Sequence, residues 1–263
     1  MKLRPALKYN GAKWLLAPWI IEHFPEHSTY LDLFGGSGAV LIQKPAAKYE
    51  IFNDLDLEVV NFFTVLRERS KDFARAIQST PYSRAEFVKA LEPAEDQFER
   101  ARRFYCLCWM SISYNFKRGT GWRLLPRNAG GGHVPANLFA QTKHLLAIAR
   151  RLKNVQFESR DFREMLKVCN HADCLVYADP PYPGFSERLY NVPFSQGDHD
   201  DLIMALGQHK GPVILSGYSD LHENLMLQGW TLVERKTRNR QRASRVECLM
   251  LNPIAAEKIK EAA

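Results

Sequence analysis

The chain has 263 residues, enough for one large domain or for one domain with an insertion. Hydrophobic residues account for 46% of the chain and no apolar run approaches the length of a membrane-spanning helix, so the composition excludes an integral membrane protein and predicts a soluble protein with a sizeable core. The net charge of +7 favours a polyanionic partner but does not identify one.

The first residues and the cysteines bear on the cellular compartment. Charged residues such as Lys2 and Arg4 interrupt the start of the chain, which leaves no hydrophobic core for a signal peptide. The five cysteines are odd in number and lie mostly in apolar segments, and the spacing of Cys106 and Cys108 does not suit a zinc clamp. We expect reduced thiols, no metal and no membrane association in a cytoplasmic protein.

A basic and aromatic segment, residues 8–14, precedes the first predicted helix. It contains Lys8, Tyr9 and Lys13. Taken alone, the segment is also consistent with an ordinary solvated N-terminal arm.

The first predicted strand, residues 30–34, runs directly into a Gly-rich turn, residues 35–38, and a helix follows from Ala39. This order lets a ligand approach the backbone and the N-terminus of the helix. The turn lacks a Gly-x-Gly-x-x-Gly pattern and no Gly-Lys-Ser/Thr sequence follows, so a nucleotide phosphate clamp is not favoured. A Gly-rich turn without a ligand stays open as the alternative.

Acids follow the second and third predicted strands. The second strand, residues 49–53, ends at Asp54, about 20 residues beyond the Gly-rich turn, where an acid is placed to accept hydrogen bonds from ribose hydroxyls. Asp56 competes for this role and we rank it lower. After the third strand, Asp161 and Phe162 can bind an adenine, the acid through the amino group and the ring by packing.

Helical periodicity dominates residues 57–103, and residues 115–134 then change character. Basic residues alternate there with aromatic residues and five glycines, which suggests a hairpin or loop that meets nucleic acid. By composition alone, a flexible surface loop is an equal alternative. The segment carries Lys117, Arg118, Trp122, Arg123 and Arg127.

An apolar run, residues 174–177, predicts a short buried strand that leads into Asp179-Pro180-Pro181-Tyr182. Each proline prevents further ladder pairing and holds the residue before it in extended geometry. A carboxylate, a carbonyl and an aromatic ring then lie just past the carboxyl end of a strand, where open α/β sheets bind ligands. The two oxygen acceptors suit both hydrogens of an exocyclic amino group, and the ring suits stacking. A Pro-rich turn without function is the alternative.

The last third of the chain predicts a helix and a hairpin. Residues 198–202 are predicted to cap a helix whose apolar positions are Leu202, Ile203 and Leu206, and His199 is then structural rather than part of a metal or acid–base site. Residues 231–234 and 247–251 predict an antiparallel hairpin joined by a basic segment. Exposed basic runs are usually only solvated, but this one would lie beside the rim that carries Asp179, so we interpret it as a phosphate-binding loop. Its candidate contacts are Arg238, Arg240, Arg242 and Arg245.

The order of these motifs resembles that of the Dam-like (D12 class) adenine-N6 DNA methyltransferases, which are encoded by bacteria and phages, over nearly the whole chain. The resemblance implies an α/β fold with a doubly wound, mainly parallel sheet and an antiparallel edge strand, the class I S-adenosylmethionine methyltransferase core. It also implies a small, mostly helical inserted DNA-recognition domain. The catalytic domain would be residues 1–56 and 146–263, and the recognition domain residues 57–145.

The resemblance assigns roles to individual residues, with S-adenosylmethionine as the cofactor and duplex DNA as the partner. Its cofactor-binding set is Tyr9, Lys13, Asp32, Phe34, Gly35, Gly36, Ser37, Gly38, Asp54, Asp161, Phe162 and Asp179. Its DNA-binding set is Lys8, Asn115, Lys117, Arg118, Arg123, Arg127, Arg238, Arg240, Arg242 and Arg245. Its catalytic set is Asp179, Pro180, Pro181 and Tyr182.

The implied reaction methylates N6 of an adenine that is flipped out of the duplex. Asp179 and the Pro180 carbonyl would accept the amino hydrogens, and Tyr182 would stack on the base. An RNA adenine-N6 methyltransferase and a catalytically silent DNA-binding relative remain alternatives, and a protein-glutamine methyltransferase is weaker because those enzymes resemble Asn-Pro-Pro-Tyr.

The recognised sequence does not follow from the motifs. Enzymes specific for GATC carry an Arg before the Tyr-Asn of the recognition hairpin, whereas Ser113 precedes Tyr114-Asn115 here. GATC specificity is therefore in doubt. A restriction endonuclease partner and the oligomeric state stay open.

Overall fold

The computed structural model describes residues 3–112, 121–124, 135–181, 192–217, 223–226, 228–238 and 244–261. The strands are β1 (Thr29–Asp32), β2 (Tyr49–Asn53), β3 (Val155–Glu158), β4 (Cys174–Ala178), β5 (Val213–Gly217), β6 (Thr231–Arg238) and β7 (Ser244–Leu251). The helices that precede β3 are α1 (Ala17–Ile21), α2 (Ala39–Gln43), α3 (Leu57–Glu68), α4 (Ser70–Ser79), α5 (Arg84–Ala90), α6 (Gln97–Met110), α7 (Pro135–Ala140) and α8 (Lys143–Arg151). The helices that follow β3 are α9 (Phe162–Val168), α10 (Gln196–Gly207), α11 (Glu223–Met226) and α12 (Pro253–Glu261).

The seven strands form one mixed sheet in the order β3-β2-β1-β4-β5-β7-β6. Strands β1 to β5 are mutually parallel, and β7 is antiparallel to both β5 and β6. The predicted mainly parallel sheet is confirmed, with one refinement: the antiparallel strand is second from the edge, and β6 forms the edge. The strand order reverses between β1 and β4, and ligands bind at the carboxyl ends of strands beside such a switch point.

Helices cover both faces of the sheet, as the doubly wound prediction requires. The two faces of the central strands pack in different hydrophobic clusters. In β1, Tyr30 belongs to one cluster and Leu31 to the other, and in β4 Leu175 and Val176 are divided in the same way. Residues of α3, α6 and α8 belong to one cluster, and residues of α9 and α10 belong to the other. The central strands are apolar throughout because both of their faces are buried.

Helix α3 joins the inserted helices directly to the sheet. Its N-terminus is capped by Asp56, whose side chain accepts a hydrogen bond from the backbone of Glu58 at 3.0 Å. On its buried face, the Phe63 ring lies 5.1 Å from Phe52 of β2 and 6.4 Å from Phe157 of β3. One continuous core therefore contains both the sheet and the helices of residues 57–145, and the domain boundary at residue 57 stays a prediction.

Two predicted boundaries differ from the structure. Helix α10 begins at Gln196, two residues before the predicted cap at Asp198, because Ser195 is its N-cap and forms a capping box with Asp198. Residues 235–238 and 244–246, predicted as loop, lie in β6 and β7. The ladder continues there because a two-stranded ribbon can expose charged side chains on both faces, and Arg235 pairs with Glu247 across it.

The β6–β7 ribbon extends beyond the rest of the sheet. β5 stops pairing with β7 at Gly217↔Cys248, whereas the β6–β7 pairs continue to Arg238↔Ser244. Since β5 ends at the same rim as β4, the ribbon projects past that rim on the side of Asp179.

All five cysteines are free and buried. Across the described ranges, no helix has the length and apolarity needed to cross a membrane. Within the same ranges, His, Cys, Asp and Glu side chains form no group that could hold a metal ion.

Candidate active site

A cavity opens at the carboxyl ends of β1, β2 and β4, beneath the N-terminal arm, residues 3–16. The arm contributes Tyr9 and Lys13 to its lining, and β4 contributes Tyr177 and Asp179. The other predicted cofactor-binding residues that line it are Asp32, Phe34, Gly35, Gly36, Ser37, Asp54 and Phe162.

The Gly-rich turn between β1 and α2 is closely packed. Gly36 and Gly38 have φ angles of +50° and +64°, which side-chain-bearing residues rarely adopt. A Cβ atom on Gly35 would lie 2.2 Å from the ring of Phe52. Any other residue at these positions would force the backbone or a neighbouring side chain to shift. Because glycine has no side chain, the backbone of the turn is exposed to the cavity.

Asp54 is tied to the Gly-rich turn. Its carboxylate accepts hydrogen bonds from the backbone N–H of Gly36 at 2.7 Å and of Asp56 at 2.8 Å. Burial raises the pKa of Asp54 to about 7, and the two N–H donors oppose that shift.

Asn53, which sequence reasoning missed, aligns the ends of three strands. Its side-chain amide donates to the carbonyls of Leu33 at 3.1 Å and Arg160 at 3.0 Å, and its oxygen accepts from the Arg160 N–H at 2.9 Å. Its side chain is 2% exposed. The sequence feature that could have identified Asn53 is an amide side chain at the last position of a buried strand, directly before the candidate ribose acid.

Carboxylates converge on this cavity from three neighbouring strands. Asp32 is 2% exposed, and its pKa is raised well above the ordinary value by burial and then by the charges of Asp179 and Asp54. The arrangement is electrostatically unfavourable without a cation. A positively charged ligand in the cavity would relieve it.

The arm brings a cation to one of these acids. The Lys13 ammonium lies 2.8 and 2.7 Å from the two carboxylate oxygens of Asp179, and the two side chains are 8% and 17% exposed. It also donates to the Gly11 carbonyl at 3.4 Å. This pairing across the chain places Lys13 where the predicted target amine would enter.

Helices of the insertion hold the arm in place. The Trp109 indole N–H donates to the Ala6 carbonyl at 3.2 Å, and the Arg4 guanidinium donates to the carbonyls of Leu138 at 3.2 Å and Gln141 at 2.8 Å. With the base of the arm held, the Tyr9 ring comes within 3.6 Å of the position of a Cβ on Gly36.

The structure places Asp161 and Phe162 differently. Asp161 caps α9 by accepting from the Arg163 N–H at 2.8 Å, and its carboxylate pairs with the Arg163 guanidinium at 3.1 Å. Phe162 lines the cavity, whereas Asp161 does not; Arg160, which the sequence did not single out, lines it instead. The Phe162 ring centroid lies 6.0 Å from that of Phe34 and 5.9 Å from that of Phe194, and the rings of Phe34 and Phe194 are 5.6 Å apart.

The catalytic segment is described as far as Pro181. β4 ends at Ala178, Asp179 is partly buried, Pro180 is buried, and Pro181 lines the cavity. Tyr182 lies outside the described residues. Its predicted stacking on the base stays a prediction.

The DNA-binding candidates are described only in part. Lys8 lies partly buried in the arm. Ser111 and Trp122 form an antiparallel bridge, and the Arg123 guanidinium donates to the Ser111 carbonyl at 2.8 Å. The predicted residues Asn115, Lys117, Arg118, Arg127, Arg240 and Arg242, and the side chains of Arg238 and Arg245, lie outside the described part of the chain.

Comparisons with known proteins agree with the motif order. The family model for D12 class N6 adenine-specific DNA methyltransferases matches residues 9–219. DNA adenine methylase of Serratia marcescens is 24% identical over 254 residues, covering 87% of this chain and 87% of that protein. DNA adenine methylase of Escherichia coli (strain K12) is 23% identical over 245 residues, covering 87% and 84%.

Among solved structures, a putative methyltransferase from Streptococcus mutans in complex with SAH covers 95% of this chain and 99% of its own, at 11% identity and a TM-score of 0.40, too low to support an argument. The family match, by contrast, includes Tyr9 and Lys13 of the arm, the Gly-rich turn, Asp54 and Asp179, and it spans most of the chain. The chain therefore belongs to the D12 class N6 adenine-specific DNA methyltransferase family.

Proposed function

We propose that this chain transfers a methyl group from S-adenosylmethionine to N6 of an adenine flipped out of duplex DNA. The observation that carries the proposal is one cavity that joins the Gly-rich turn and Asp54 to Asp179. A cofactor site and an amine-binding carboxylate thus share one space, as direct transfer between two bound molecules requires.

The residues of the cavity fit the cofactor. Asp54 suits the ribose hydroxyls, and the rings of Phe34 and Phe162 provide an apolar surface for a base. The convergence of Asp32, Asp54 and Asp179, with the raised pKa of Asp32, favours a cationic ligand. When bound, the cofactor supplies an electrophilic methyl group on a sulfonium.

Asp179 orients the target amine in this mechanism. The amino hydrogens of adenine are donated to the Asp179 carboxylate and the Pro180 carbonyl, which directs the nitrogen lone pair at the methyl carbon. Bound S-adenosylmethionine would supply the methyl group to N6, and the extra proton on the methylated nitrogen would pass to water through the Asp179 carboxylate that accepts its hydrogen bond. Lys13 has to release at least one oxygen of Asp179 for the amine to bind.

Recognition of the duplex is assigned to residues 57–145 and to the β6–β7 ribbon. Two features support this assignment: an antiparallel bridge joins Ser111 to Trp122, at the two ends of the basic segment's first half, and the ribbon projects past the rim that carries Asp179. Lys8 lies on the arm, which contributes Tyr9 and Lys13 to the lining of the cavity.

The test is methylation of unmethylated genomic DNA by the purified protein with S-adenosylmethionine, with N6-methyladenine mapped by sequencing. We expect a defined modified motif with the wild type, none with Asp179→Asn, and wild-type activity with the control Asp200→Asn, an exposed carboxylate on α10. Methylation of RNA oligonucleotides but not of DNA, or full activity of Asp179→Asn, would contradict the proposal.

A further inference from the structure

Three aromatic rings form one wall of the cavity. Phe34 follows β1, Phe162 is the first residue of α9, and Phe194 lies two residues before α10. All three line the cavity, and the ring of Phe194, which is 8% exposed, lies 5.6 Å from Phe34 and 5.9 Å from Phe162. Phe194 was not among the predicted site residues. A wall of three rings suits the flat base of the cofactor.

One carboxylate connects the backbone beside Phe194 to Arg163 of α9. Phe194 directly precedes Ser195, the N-cap of α10. The Oδ2 atom of Asp198 accepts hydrogen bonds from the Ser195 N–H at 2.9 Å and from the Ser195 hydroxyl at 2.7 Å, and its Oδ1 atom accepts from the Arg163 guanidinium at 2.8 Å. Hydrogen bonds from Ser195 and then from Arg163 lower the pKa of Asp198 to about 2, so this link is ionised at neutral pH.

Arg163 also bonds to two other carboxylates and covers a second ring of the wall. Asp201, one turn along α10, accepts from Nε at 3.1 Å and from Nη2 at 2.6 Å, and Asp161 accepts from Nη1 at 3.1 Å. The guanidinium carbon lies 4.3 Å from the centroid of the Phe162 ring. A planar guanidinium holds several acceptors in fixed directions, whereas an ammonium is a point charge. Arg163 therefore fixes the start of α9 to the start of α10.

The exposure of this network indicates that it does more for geometry than for folding stability. The side chains of Arg163, Asp198 and Asp201 are 35%, 32% and 50% exposed. Ion pairs with that exposure contribute less than about 1 kcal/mol each to folding. What the network does set is the position of Phe194, at the start of α10, relative to Phe162, at the start of α9.

We infer that Arg163 is a positioning residue for the cofactor: by joining α9 to α10, it holds the Phe194 ring in the wall that receives the adenine of S-adenosylmethionine. This inference rests on the proposed function. It also gives Asp161 a role in adenine binding that is exerted through Arg163 and not through contact with the base.

Calorimetric binding of S-adenosylhomocysteine and of 5′-methylthioadenosine, which both contain the adenine, tests the inference. Arg163→Met should weaken the binding of both ligands about three- to tenfold, the value of one aromatic contact. The thermal midpoint should fall only slightly, because exposed ion pairs contribute little to folding. Arg163→Lys keeps the charge but not the planar fork, and it should restore part of the affinity.

A double-mutant cycle tests whether Arg163 acts through Phe194. Phe194→Leu alone should weaken both ligands by a factor similar to that of Arg163→Met. The double variant should lose little more than the larger single loss, because the two substitutions disturb the same ring contact.

Arg103→Met is the matched control. The Arg103 guanidinium also holds several acceptors, the Glu99 carboxylate at 2.8 Å and the carbonyls of Glu92 at 2.8 Å and Pro93 at 3.0 Å, and these residues lie outside the cavity lining. This variant should lose stability and bind both ligands with wild-type affinity.

Wild-type affinity of Arg163→Met for both ligands would overturn the inference. Additive losses in the double-mutant cycle, or a loss confined to S-adenosylhomocysteine, would do the same. If the wild type bound neither ligand, the proposed function would be overturned together with the inference.

Discussion

At the scale of single residues, burial and backbone geometry set the chemistry of the cavity. The Asp54 carboxylate is held by backbone N–H groups from Gly36 and Asp56, yet burial raises its pKa to about 7. Gly36 and Gly38 adopt backbone conformations that other residues rarely reach. The contributions of Asp54 and of the Gly-rich turn can each be tested by a single substitution.

Cofactor affinity should depend on pH through Asp54. Only the ionised carboxylate accepts hydrogen bonds from both ribose hydroxyls, so the affinity is full above the pKa of about 7 and falls as the pH drops through it. The fall should approach about tenfold per pH unit well below the pKa. Calorimetric binding of S-adenosylhomocysteine between pH 6 and 8.5 measures this slope. Asp54→Asn should bind weakly and nearly independently of pH, and an unchanged slope in that variant would assign the titration to another group.

Gly35→Ala should destabilise the protein by about 1–3 kcal/mol, because the new Cβ would overlap the buried Phe52 ring. Urea unfolding measures the loss, and cofactor affinity should fall with it because the turn is displaced. The control is Gly197→Ala on the exposed start of α10, where the nearest atom to a Cβ is the Ser195 hydroxyl oxygen at 3.7 Å. That change should be neutral or stabilising, by up to about 1 kcal/mol.

At the scale of secondary-structure elements, a buried ion network joins α2, β2 and α8. Glu50 of β2 accepts from the Lys44 ammonium at 2.7 Å and from the Arg151 guanidinium at 2.8 Å, and Arg151 also donates to the Leu41 carbonyl at 2.8 Å. The side chains of Lys44 and Glu50 are only 1% and 4% exposed. The network fixes the end of α2 against the strand whose last residues carry Asn53 and Asp54.

Glu50→Gln should cost about 3–5 kcal/mol in free energy of unfolding, because it leaves Lys44 and Arg151 buried without a compensating charge. The exposed pair of Arg67 and Glu68 provides the comparison, with side chains 27% and 59% exposed. Glu68→Gln should cost less than about 1 kcal/mol. Urea denaturation of both variants gives the two values, and similar small losses would mean that solvent reaches the Glu50 network.

At the scale of the whole molecule, the charge of +7 is consistent with binding to a polyanion. The arm and the β6–β7 ribbon, both proposed for DNA binding, lie at the carboxyl rim of the sheet. Helix α9 runs from the carboxyl rim of the sheet back toward the start of β4. Its last turn therefore lies at the opposite rim, where the parallel strands begin.

Duplex binding should weaken with rising salt, and the Lys8→Ala variant should reduce the slope of log K against log salt by about 0.9, the release of one counterion. The control is Lys167→Ala, an exposed lysine in the last turn of α9 at the far edge of the sheet. Its slope should match that of the wild type. Fluorescence anisotropy with a labelled duplex at several salt concentrations gives the binding constants of all three proteins. An unchanged slope for Lys8→Ala would show that Lys8 does not contact the DNA.

The sequence by itself determined the features that depend on neighbouring residues. Apolar runs that end in Gly-rich or Pro-rich segments predicted β1, β4 and the turns after them, and the spacing from the turn to Asp54 predicted an acid at the end of β2. These predictions succeeded because strand burial, the conformational freedom of glycine and the restriction imposed by proline are local properties.

Only the tertiary structure decided which distant groups meet. Lys13 pairs with Asp179 across 166 positions of the chain, Asn53 joins the ends of β1 and β3, and Asp161 turns to cap α9 instead of lining the cavity. The insertion of β7 between β5 and β6 also depends on contacts between distant residues. These outcomes depend on strand order and on side-chain direction in the packed core, and the interactions that set them are made between residues that no local pattern relates.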